Sequence, residues 1–487
     1  MPLTRAEITV VYAGGVDAVI GVIEQLQAVV AAQQEQIAAL SARVKELEDQ
    51  AKTTSRTSSK PPSSDGYNRS PRSLRQRSGK AAGGQPGYPG STLSLLEKPD
   101  RVLIHSPATC AGCQAALDGV TVSGYERRQV VDLPPLRLEV SEHRAEEKTC
   151  PHYQHTTTGA FPADVTTMVQ YGTGLKALAV YLLTYYLLPY ERTSALLGDL
   201  FGHRPAKGTL QTAVETCADG LVGVEEQIKD ALRQADVLHN DETGVRVQGQ
   251  LQWVHMTNTA RLTHYAVHPK RGSVAMTEIG ILPAFHGVSV HDGLTAYRQD
   301  DCAHALCNAH HLRELTAIEE HDQQPWATRM KDVLVKIKAC VDTARDQGET
   351  RFDAAVCAAF VARYCMIVAE GYAANPPPPD AGPKTRGQPK HSKARNLLDR
   401  LSRDEQAVLV FMTDWRVPFD NNQAERDLRM IKVQQKVSGC FRSPTGPVVF
   451  CRLRGYLSTL KKQGQAVLPA LQRVFAGHPL LPDLAAG

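Results

Sequence analysis

The stretch between residues 236 and 300 constrains the fold more than any other part of the chain. Its apolar residues predict, in chain order, a strand, a hairpin, a third strand, a helix and a further strand, over 237–241, 245–256, 262–267, 273–281 and 287–291. A Gln-Gly-Gln sequence supplies the turn of the hairpin. The pattern predicts an α/β unit in which three antiparallel strands are followed by a helix and another strand.

Three acidic residues stand at informative places around this unit. Asp241 lies on the first strand, Asp292 ends the last apolar strand, and Glu425 lies near the start of a later helix. A single aspartate at a strand end is more often a turn residue, but the strand order of a ribonuclease H-like fold predicts both aspartate positions on neighbouring strands. Carboxylate oxygens suit Mg²⁺ or Mn²⁺, and two such ions about 3.5–4 Å apart clamp the attacking and leaving oxygens of a phosphoryl transfer. The trio therefore predicts a two-metal site.

The helix that carries Glu425 is predicted to begin at Asp420-Asn421-Asn422, whose side chains are suited to capping. Cationic residues follow the glutamate at helical spacing and continue past the helix: Arg429, Lys432, Lys436 and Arg442. An ordinary surface pair between a glutamate and an arginine four residues later is the alternative. The preceding Trp415–Asp420 favours a docked helix start, and the cationic face predicts contacts to nucleic-acid phosphates.

Residues 16–50 carry an apolar seam with steps of three and four residues. The seam comprises Val16, Val19, Ile23, Leu26, Val30, Gln33, Ile37, Leu40, Val44 and Leu47, and its one polar member is Gln33. An amphipathic helix packed on its own domain would also give an apolar stripe. The strict 3.5-residue period favours a coiled coil over residues 1–50, and hence a homodimer or a higher homo-oligomer.

Residues 51–95 change abruptly to serine, proline, glycine and basic residues. Such a segment cannot bury a core and is predicted to be a disordered basic linker. It can serve as a spacer, as an arm that follows DNA phosphates, or as both. The candidate DNA contacts in it are Arg69, Arg72, Arg75, Arg77 and Lys80.

Residues 96–165 are predicted to form a small β-rich unit around two cysteine-containing turns. Cys110, Cys113 and Cys150 have the spacing of structural zinc ligands, and the fourth ligand would be His152 or His155. Three unligated thiols in a degenerate finger are the alternative.

Residues 166–235 are predicted to be helical. Gly202 and the Lys207-Gly-Thr209 sequence fit a helix–turn–helix, although an ordinary helical pair gives the same pattern. The core is expected to continue over 236–320, to be interrupted by a helical insertion over 321–410, and to be completed over 411–487 by the Glu425 helix and a basic C-terminal region.

Composition restricts the class of protein more weakly. The 487 residues suffice for several domains, and the net charge of +4 means that a nucleic-acid partner must be argued from charge clustering. Eleven scattered cysteines favour reduced thiols in the cytoplasm. No secretory signal is recognisable, and the apolar run Leu175–Leu188 is too short to span a bilayer, so we expect a buried core helix and no membrane partner.

Several longer motifs together resemble the transposases of the insertion sequence 66 family. They run in family order: SSKPPSSD (58–65), SGKAAGGQPGYPG (78–90), the CxxC turn, HNDETG (239–244), VHDG (290–293), CNAHHLREL (307–315) and the stretch from Pro418 to Ser443. The resemblance implies a DDE-type catalytic domain with Asp241, Asp292 and Glu425 as catalytic residues. It departs from the family at Tyr153, where a further cysteine is common, and this departure leaves the zinc stoichiometry open.

The resemblance also implies a reaction and its partners. A DDE transposase cleaves the terminal inverted repeats of its element and joins the 3′-OH ends to target DNA, in some elements with accessory proteins. A nucleoid-associated cytoplasmic location would follow. Cys307 and His310 resemble a C-x-x-H signature found after the second acidic residue of several DDE transposases, although a buried pair that closes the fold is an equal alternative.

Two other functions fit parts of the sequence. A ribonuclease H-like nuclease or resolvase would use the same acidic trio without insertion. A zinc-containing DNA-binding regulator would use the coiled coil to dimerise, and its acidic trio would be incidental.

Overall fold

The computed structural model describes residues 4–52, 87, 93–377 and 392–484. The chain opens with α1 (Arg5–Ala13) and α2 (Val16–Lys52). A capping box begins α1: the Thr4 hydroxyl accepts from the Glu7 N–H, and the Glu7 carboxylate accepts from the Thr4 N–H. The seam of α2 is exposed, with Val30 at 50% and Ile37 at 64%. Self-association through this seam stays a prediction, and the predicted basic linker lies almost entirely outside the described residues.

The unit predicted to be β-rich contains little regular structure. Its described strands are β1 (Glu147–Thr149) and β2 (Thr156–Thr158), which pair antiparallel. The β-rich prediction is therefore wrong over most of 96–165. The physical reason is that the apolar side chains of this unit do not find a common core: Val130 and Val140 are each 91% exposed.

The centre of the molecule is a mixed sheet of five strands. These are β3 (Val237–Val247), β4 (Gln250–Asn258), β5 (Thr263–His268), β6 (Val288–His291) and β7 (Ala303–Leu306), in the order β5-β4-β3-β6-β7. β4 is antiparallel to β3 and β5, whereas β6 is parallel to β3 and β7. The predicted succession of strands is confirmed, with one difference: the first predicted strand, 237–241, and the first arm of the predicted hairpin, 245–247, form one continuous strand, β3. Sequence analysis missed β7.

Two backbone features fix the register of this sheet. Gln248 and Gly249 have positive φ angles (50° and 81°), which a tight hairpin between β3 and β4 requires. Gly287 precedes β6, and a Cβ atom there would lie 2.3 Å from the carbonyl oxygen of Asp236. A residue with a side chain would push β6 away from β3, so the close approach of these strands depends on this glycine.

Helices before and after the sheet share one hydrophobic core on its first face. They are α3 (Thr173–Val180), a π-helical turn (Tyr181–Tyr185), α4 (Tyr190–Phe201), α5 (Lys207–Asp219), α6 (Val222–Arg233), α7 (Ser273–Ile279), α14 (Thr445–Lys462) and α15 (Val467–Phe475). The run Leu175–Leu188 includes the buried Ala177, Val180 and Leu183, as expected of a core helix. The boundary expected at residue 235 does not separate two cores, because both sides contribute to this one.

Two successive helices, α4 and α5, lie where the helix–turn–helix is predicted. Gly202 ends α4 with a φ of 71°, and α5 begins at Lys207. Leu210, Val214 and Cys217 of α5 face the core, so only the opposite polar side of α5 is exposed. DNA reading by α5 stays a prediction.

Five helices between β7 and the Glu425 helix form a second core. They are α8 (Asn308–Asp322), α9 (Pro325–Asp346), α10 (Ala354–Ala374), α11 (Lys393–Arg403) and α12 (Glu405–Thr413). The insertion expected from residue 321 thus shares its core with α8, which begins at residue 308. Two helical stretches of the described chain are long and apolar enough to cross a membrane, Val16–Ala38 and Ala354–Ala374. Of the second, Tyr364 and Ile367 are buried in this core.

The other face of the sheet is covered by α13 (Asn422–Ser438). Ala424, Leu428 and Ile431 of α13 pack against Val245 and Met256 of the sheet. Phe441, just beyond the helix, exchanges backbone hydrogen bonds with β3 and its turn, to Arg246 and from Gln248. Asn421, just before the helix, contacts His239 and Asn240 of β3, so the start of α13 lies beside these residues, the first of which pairs with the carboxyl end of β6.

Candidate active site

Asp241 and Asp292 occupy matching positions on adjacent parallel strands. β3 and β6 pair from Val237↔Val288 to His239↔Val290. The same register, two residues further on, sets Asp241 of β3 beside Asp292, which directly follows β6. Asp241 Oδ1 accepts from the N–H of Glu242 at 2.8 Å, and Asp292 Oδ1 accepts from the N–H of Leu294 at 3.0 Å. The expectation that these aspartates lie on neighbouring strands is therefore confirmed.

Glu425 lies in the first turn of α13, which a single asparagine fastens to the sheet. Asn421 Nδ2 donates to the carbonyl of Asn240 at 2.9 Å, and Asn421 Oδ1 lies 2.7 Å from His239 Nδ1. The Asn421 side chain thus makes no capping bond to its own helix, contrary to expectation, whereas Asp420 Oδ1 accepts from the Asn422 N–H at 3.1 Å. The Asn421 side chain therefore binds the sheet instead of capping α13, and it fixes the start of this helix beside His239 and Asn240 of β3.

Asp241 is within electrostatic reach of the other two acids of the trio. Burial raises the pKa of Asp241 well above its ordinary value, and the negative charges of Glu242, Asp292 and Glu425 raise it further. Asp241 therefore interacts electrostatically with both other members of the trio. A site in which like charges oppose the ionisation of Asp241 favours the binding of cations.

A fourth acid, which sequence analysis missed, borders this region from the opposite face of β3. The Glu242 side chain is 1% exposed, and it accepts from Arg271 Nε at 2.9 Å and from the Tyr297 hydroxyl at 2.7 Å. Burial and the charge of Asp292 raise the pKa of Glu242. The Arg271 guanidinium also lies 4.7 Å from the Trp253 ring centroid. The sequence signal was present, since Glu242 directly follows Asp241, but its burial and its partners depend on packing.

α8 brings a histidine and an arginine to Glu425. His310 Nε2 lies 4.0 Å from Glu425 Oε1, and the Arg313 guanidinium lies 3.4 Å from the same oxygen. The alternative surface pair of Glu425 with Arg429 is not the pairing that the structure gives, since Glu425 pairs with Arg313. Cys307 is buried, and its Sγ accepts from the N–H of Asn421 at 3.2 Å. Cys307 thus closes the fold, while His310 faces the acidic trio.

The donor set suits hard divalent cations, because the trio offers only carboxylate oxygens. Within the described ranges, no three histidine, cysteine or acidic side chains are already arranged as a ligand set. Glu425, which contacts Arg313, would have to turn toward the aspartates to complete one.

The zinc-finger-like unit contains two turns with the same hydrogen bonds. In the first, Cys110 N–H donates to Ala115 at 2.9 Å and Gln114 N–H donates to Cys110 at 2.8 Å. In the second, Cys150 N–H donates to His155 and Gln154 N–H donates to Cys150, both at 2.8 Å. Gln114 and Gln154 both have positive φ angles, 60° and 51°. By this match Tyr153 stands where the first turn has Cys113.

The chemistry of the first turn is that of a metal-binding knuckle. The backbone N–H groups of Cys113 and Gly112 lower the pKa of the Cys110 thiol, which favours the thiolate that zinc binds. In the second turn Tyr153 is 86% exposed. The part of the chain that the structure describes holds no closed zinc ligand set. Cys110, Cys113, Cys150, His152 and His155 therefore remain candidate ligands.

The candidate DNA contacts divide into three groups. Arg429, Lys436 and Arg442 are exposed on and beyond α13. The Lys432 ammonium donates to the carbonyl of Gly244 at 2.9 Å, so it serves the docking of α13 as well. The linker residues from Arg69 to Lys80 lie outside the described residues.

Comparison with known protein families identifies the class of the chain. Residues 168–448, more than half of the chain, match the family described as "Transposase IS66 family". Residues 107–152 match the "zinc-finger binding domain of transposase IS66", and residues 18–94 match a family of unknown function (DUF6444). The chain is thus a transposase, a DNA-processing enzyme. It belongs to the IS66 transposase family.

Other comparisons add little. No curated protein matches the chain. A chain from the cryoEM structure of the simian T-cell lymphotropic virus intasome in complex with PP2A regulatory subunit B56 gamma is similar at 12% identity. The match covers 43% of this chain and 80% of that chain with a TM-score of 0.13, a value too low to support any statement about this protein.

Proposed function

We propose that this transposase cuts the ends of its insertion sequence and joins the resulting 3′-OH ends to target DNA, using a DDE site on a ribonuclease H-like core. One observation carries the proposal: Asp241 on β3 and Asp292, directly after β6, are in register on adjacent parallel strands, and Asn421 fastens the start of the Glu425 helix to β3 beside Asp241. The mixed order β5-β4-β3-β6-β7 supports the fold assignment.

The three carboxylates would hold Mg²⁺ or Mn²⁺, two ions in all. When bound, the ions supply charge stabilisation for the attacking and the leaving oxygen of the phosphoryl transfer. The protein's own part is positional. Neighbouring backbone N–H groups orient Asp241 and Asp292, and Asn421 holds the start of the Glu425 helix over the strand ends.

The cationic residues near the site support DNA as the substrate. Arg429, Lys436 and Arg442 lie exposed on the segment that carries Glu425, so phosphates bound there would run beside the carboxylates. The exposed seam of α2 supports self-association, and the two matched turns around Cys110 and Cys150 support a zinc-stabilised unit. The terminal inverted repeats are the DNA sequence that this assembly would bind.

The experiment replaces each carboxylate by its neutral amide: Asp241→Asn, Asp292→Asn and Glu425→Gln. Each change should lower Mg²⁺-dependent end cleavage by on the order of 10³-fold, because several kcal/mol of charge stabilisation is lost. Binding to a labelled DNA end, measured by gel shift without divalent ions, should stay within about twofold, because these residues contribute no cationic contact to phosphates.

Glu226→Gln, on the exposed side of α6, is the matched control and should cleave normally. Normal cleavage by any of the three active-site variants would remove that residue from the site. Cleavage by the unaltered protein without strand-transfer products, in an assay that supplies target DNA, would favour a nuclease or resolvase.

A further inference from the structure

Arg313 holds Glu425 through both oxygens of its carboxylate. Its Nη1 and Nη2 atoms lie 3.4 Å from Glu425 Oε1, and Nη2 lies 3.5 Å from Oε2. Ion-paired guanidinium and carboxylate groups usually approach to about 2.7–2.9 Å. The contact is therefore a loose fork, in which the two groups attract each other without short hydrogen bonds.

Both partners are only partly buried. The Arg313 side chain is 21% exposed and the Glu425 side chain is 30% exposed. A pair with this access to water is weak and easily exchanged for other partners. Arg313 thus forms an ion pair with Glu425 but does not hold it tightly.

Neighbouring groups show that the pair borders the catalytic region. His310, one helical turn before Arg313, is affected electrostatically by Arg313, Glu425 and Asp292. Its buried Nδ1 has no hydrogen-bond partner among the described residues. Arg313 therefore places its positive charge at the edge of a region that contains at least three carboxylates.

We propose that Arg313 is a positioning residue that exchanges partners when the active site loads. Before loading, its guanidinium neutralises Glu425 and keeps that carboxylate from joining Asp241 and Asp292. When divalent ions take over Glu425, the guanidinium is released and binds a phosphate of the DNA strand at the site. This inference rests on the proposed function, because it requires Glu425 to be a ligand of the divalent ions.

The chemistry of the two side chains fits this exchange. A carboxylate can leave a loose ion pair for a divalent cation, which attracts it more strongly than a single positive charge does. A guanidinium matches phosphate oxygens with the same two-pronged geometry that it uses for a carboxylate.

The first measurement is Mn²⁺ binding to the full chain without DNA, followed by calorimetry or by the electron paramagnetic resonance of free Mn²⁺. Arg313→Gln should bind Mn²⁺ several-fold more tightly than the unaltered protein, because Glu425 no longer has a competing partner. Glu425→Gln should bind Mn²⁺ several-fold more weakly. Arg329→Gln is the matched control, because Arg329 of α9 is likewise paired with a glutamate, Glu370 of α10. It should leave Mn²⁺ binding unchanged.

The second measurement is DNA binding with and without Ca²⁺, a hard cation that takes oxygen ligands. Ca²⁺ should strengthen DNA binding by the unaltered protein, and Arg313→Gln should lose most of that gain while its binding without Ca²⁺ stays the same. Arg313→Lys should keep part of the gain, because it retains the charge without the fork. A merely structural ion pair would not make the effect of Arg313 depend on the divalent ion.

The outcomes distinguish a failure of the proposed exchange from a failure of the proposed function. Weaker Mn²⁺ binding by Glu425→Gln together with unchanged or weaker binding by Arg313→Gln would overturn the exchange and leave the proposed function standing. Unchanged Mn²⁺ binding by Glu425→Gln would overturn the metal assignment and the exchange with it. If Arg313→Gln unfolds, Arg313→Lys gives the same decision, since an unaltered Ca²⁺-dependent gain in DNA binding would overturn the exchange.

Discussion

At the scale of single residues, burial of titratable side chains connects the helical cluster to the pH behaviour of the molecule. His311 is 2% exposed on α8, and its Nδ1 lies 3.1 Å from Asn308 Oδ1. Burial, together with the positive charge of Arg400, lowers the pKa of His311 to about 3. The folded protein therefore holds His311 neutral, whereas the unfolded chain binds a proton near pH 6.5.

A folded-state pKa below the unfolded value stabilises the protein above the unfolded pKa, and this stabilisation is lost as the pH falls toward the folded pKa. Between about pH 6 and pH 4, His311 should cost the folded state about 1.4 kcal/mol per pH unit. His311→Gln should lower stability at pH 7 but show a shallower decline below pH 6. Urea unfolding of both proteins at pH 7, 6, 5 and 4 measures the two slopes, and equal slopes would contradict the assignment.

At the scale of elements, α2 is predicted to form a coiled coil with a second copy of the chain. Its apolar seam is exposed in the described fold, as this prediction requires. Val29 and Val30 are adjacent and similarly exposed, at 49% and 50%, but only Val30 belongs to the heptad seam. In a coiled coil, seam residues pack into the partner helix and their neighbours face water. The two positions thus form a matched pair.

Val30→Asp should shift the protein toward monomer, because an aspartate in the seam buries an unpaired charge. Val29→Asp should leave the oligomeric state unchanged. Sedimentation equilibrium of the full chain distinguishes the two variants. A monomeric unaltered protein, or equal effects of both changes, would remove the coiled-coil assignment.

The two matched cysteine turns lead to a second prediction at this scale. Because Tyr153 stands at the position of Cys113, the proposed zinc site would have three cysteine ligands and would need a histidine, His152 or His155, as its fourth. Tyr153→Cys should raise zinc affinity at least about tenfold, since a fourth thiolate completes the tetrahedral set. Competition with a coloured chelator measures that affinity.

Tyr125→Cys adds a thiol outside both turns and is the control for non-specific binding. An affinity of Tyr153→Cys equal to that of the unaltered protein would show that His152 or His155 already completes the set. Alanine variants of the two histidines would then identify which one.

At the scale of the whole molecule, α13 carries both proposed catalytic and proposed DNA-binding residues. Its first turn holds Glu425, and Arg429 and Lys436 are exposed to solvent further along it. DNA bound along this surface would lie beside the proposed catalytic carboxylates. The basic linker would extend the surface, although its residues lie outside the described ranges.

Counterion release gives this surface a measurable signature. Each phosphate contact contributes about 0.9 to the slope of log K against log salt concentration. The double variant Arg429→Ala/Lys436→Ala should therefore reduce the slope by about 2. Lys229→Ala, on α6 beside Glu226, should not change it, and an unchanged slope in the double variant would place the DNA elsewhere.

Much of the fold and of the site followed from local pattern. Runs and alternation of apolar residues identified β3 to β6, a predicted helix start at Asp420–Asn422 identified α13, and the residue types of Asp241, Asp292 and Glu425 identified the candidate chemistry. The β-rich prediction for 96–165 was wrong over most of that range, because its apolar side chains share no buried core. β7 was missed because its sequence, Ala-His-Ala-Leu, contains no β-branched or aromatic residue that would indicate a strand.

The sequence by itself determined the succession of strands and helices, the identity of the acidic trio and the family resemblance, because these depend on residue type and on spacing along the chain. The tertiary structure decided which groups meet. Arg313 and Glu425 are 112 residues apart, and Asn421 and Asn240 are 181 residues apart, yet each pair is in contact. Such contacts arise from the packing of α8 and α13 around one end of the sheet, and no local periodicity encodes them.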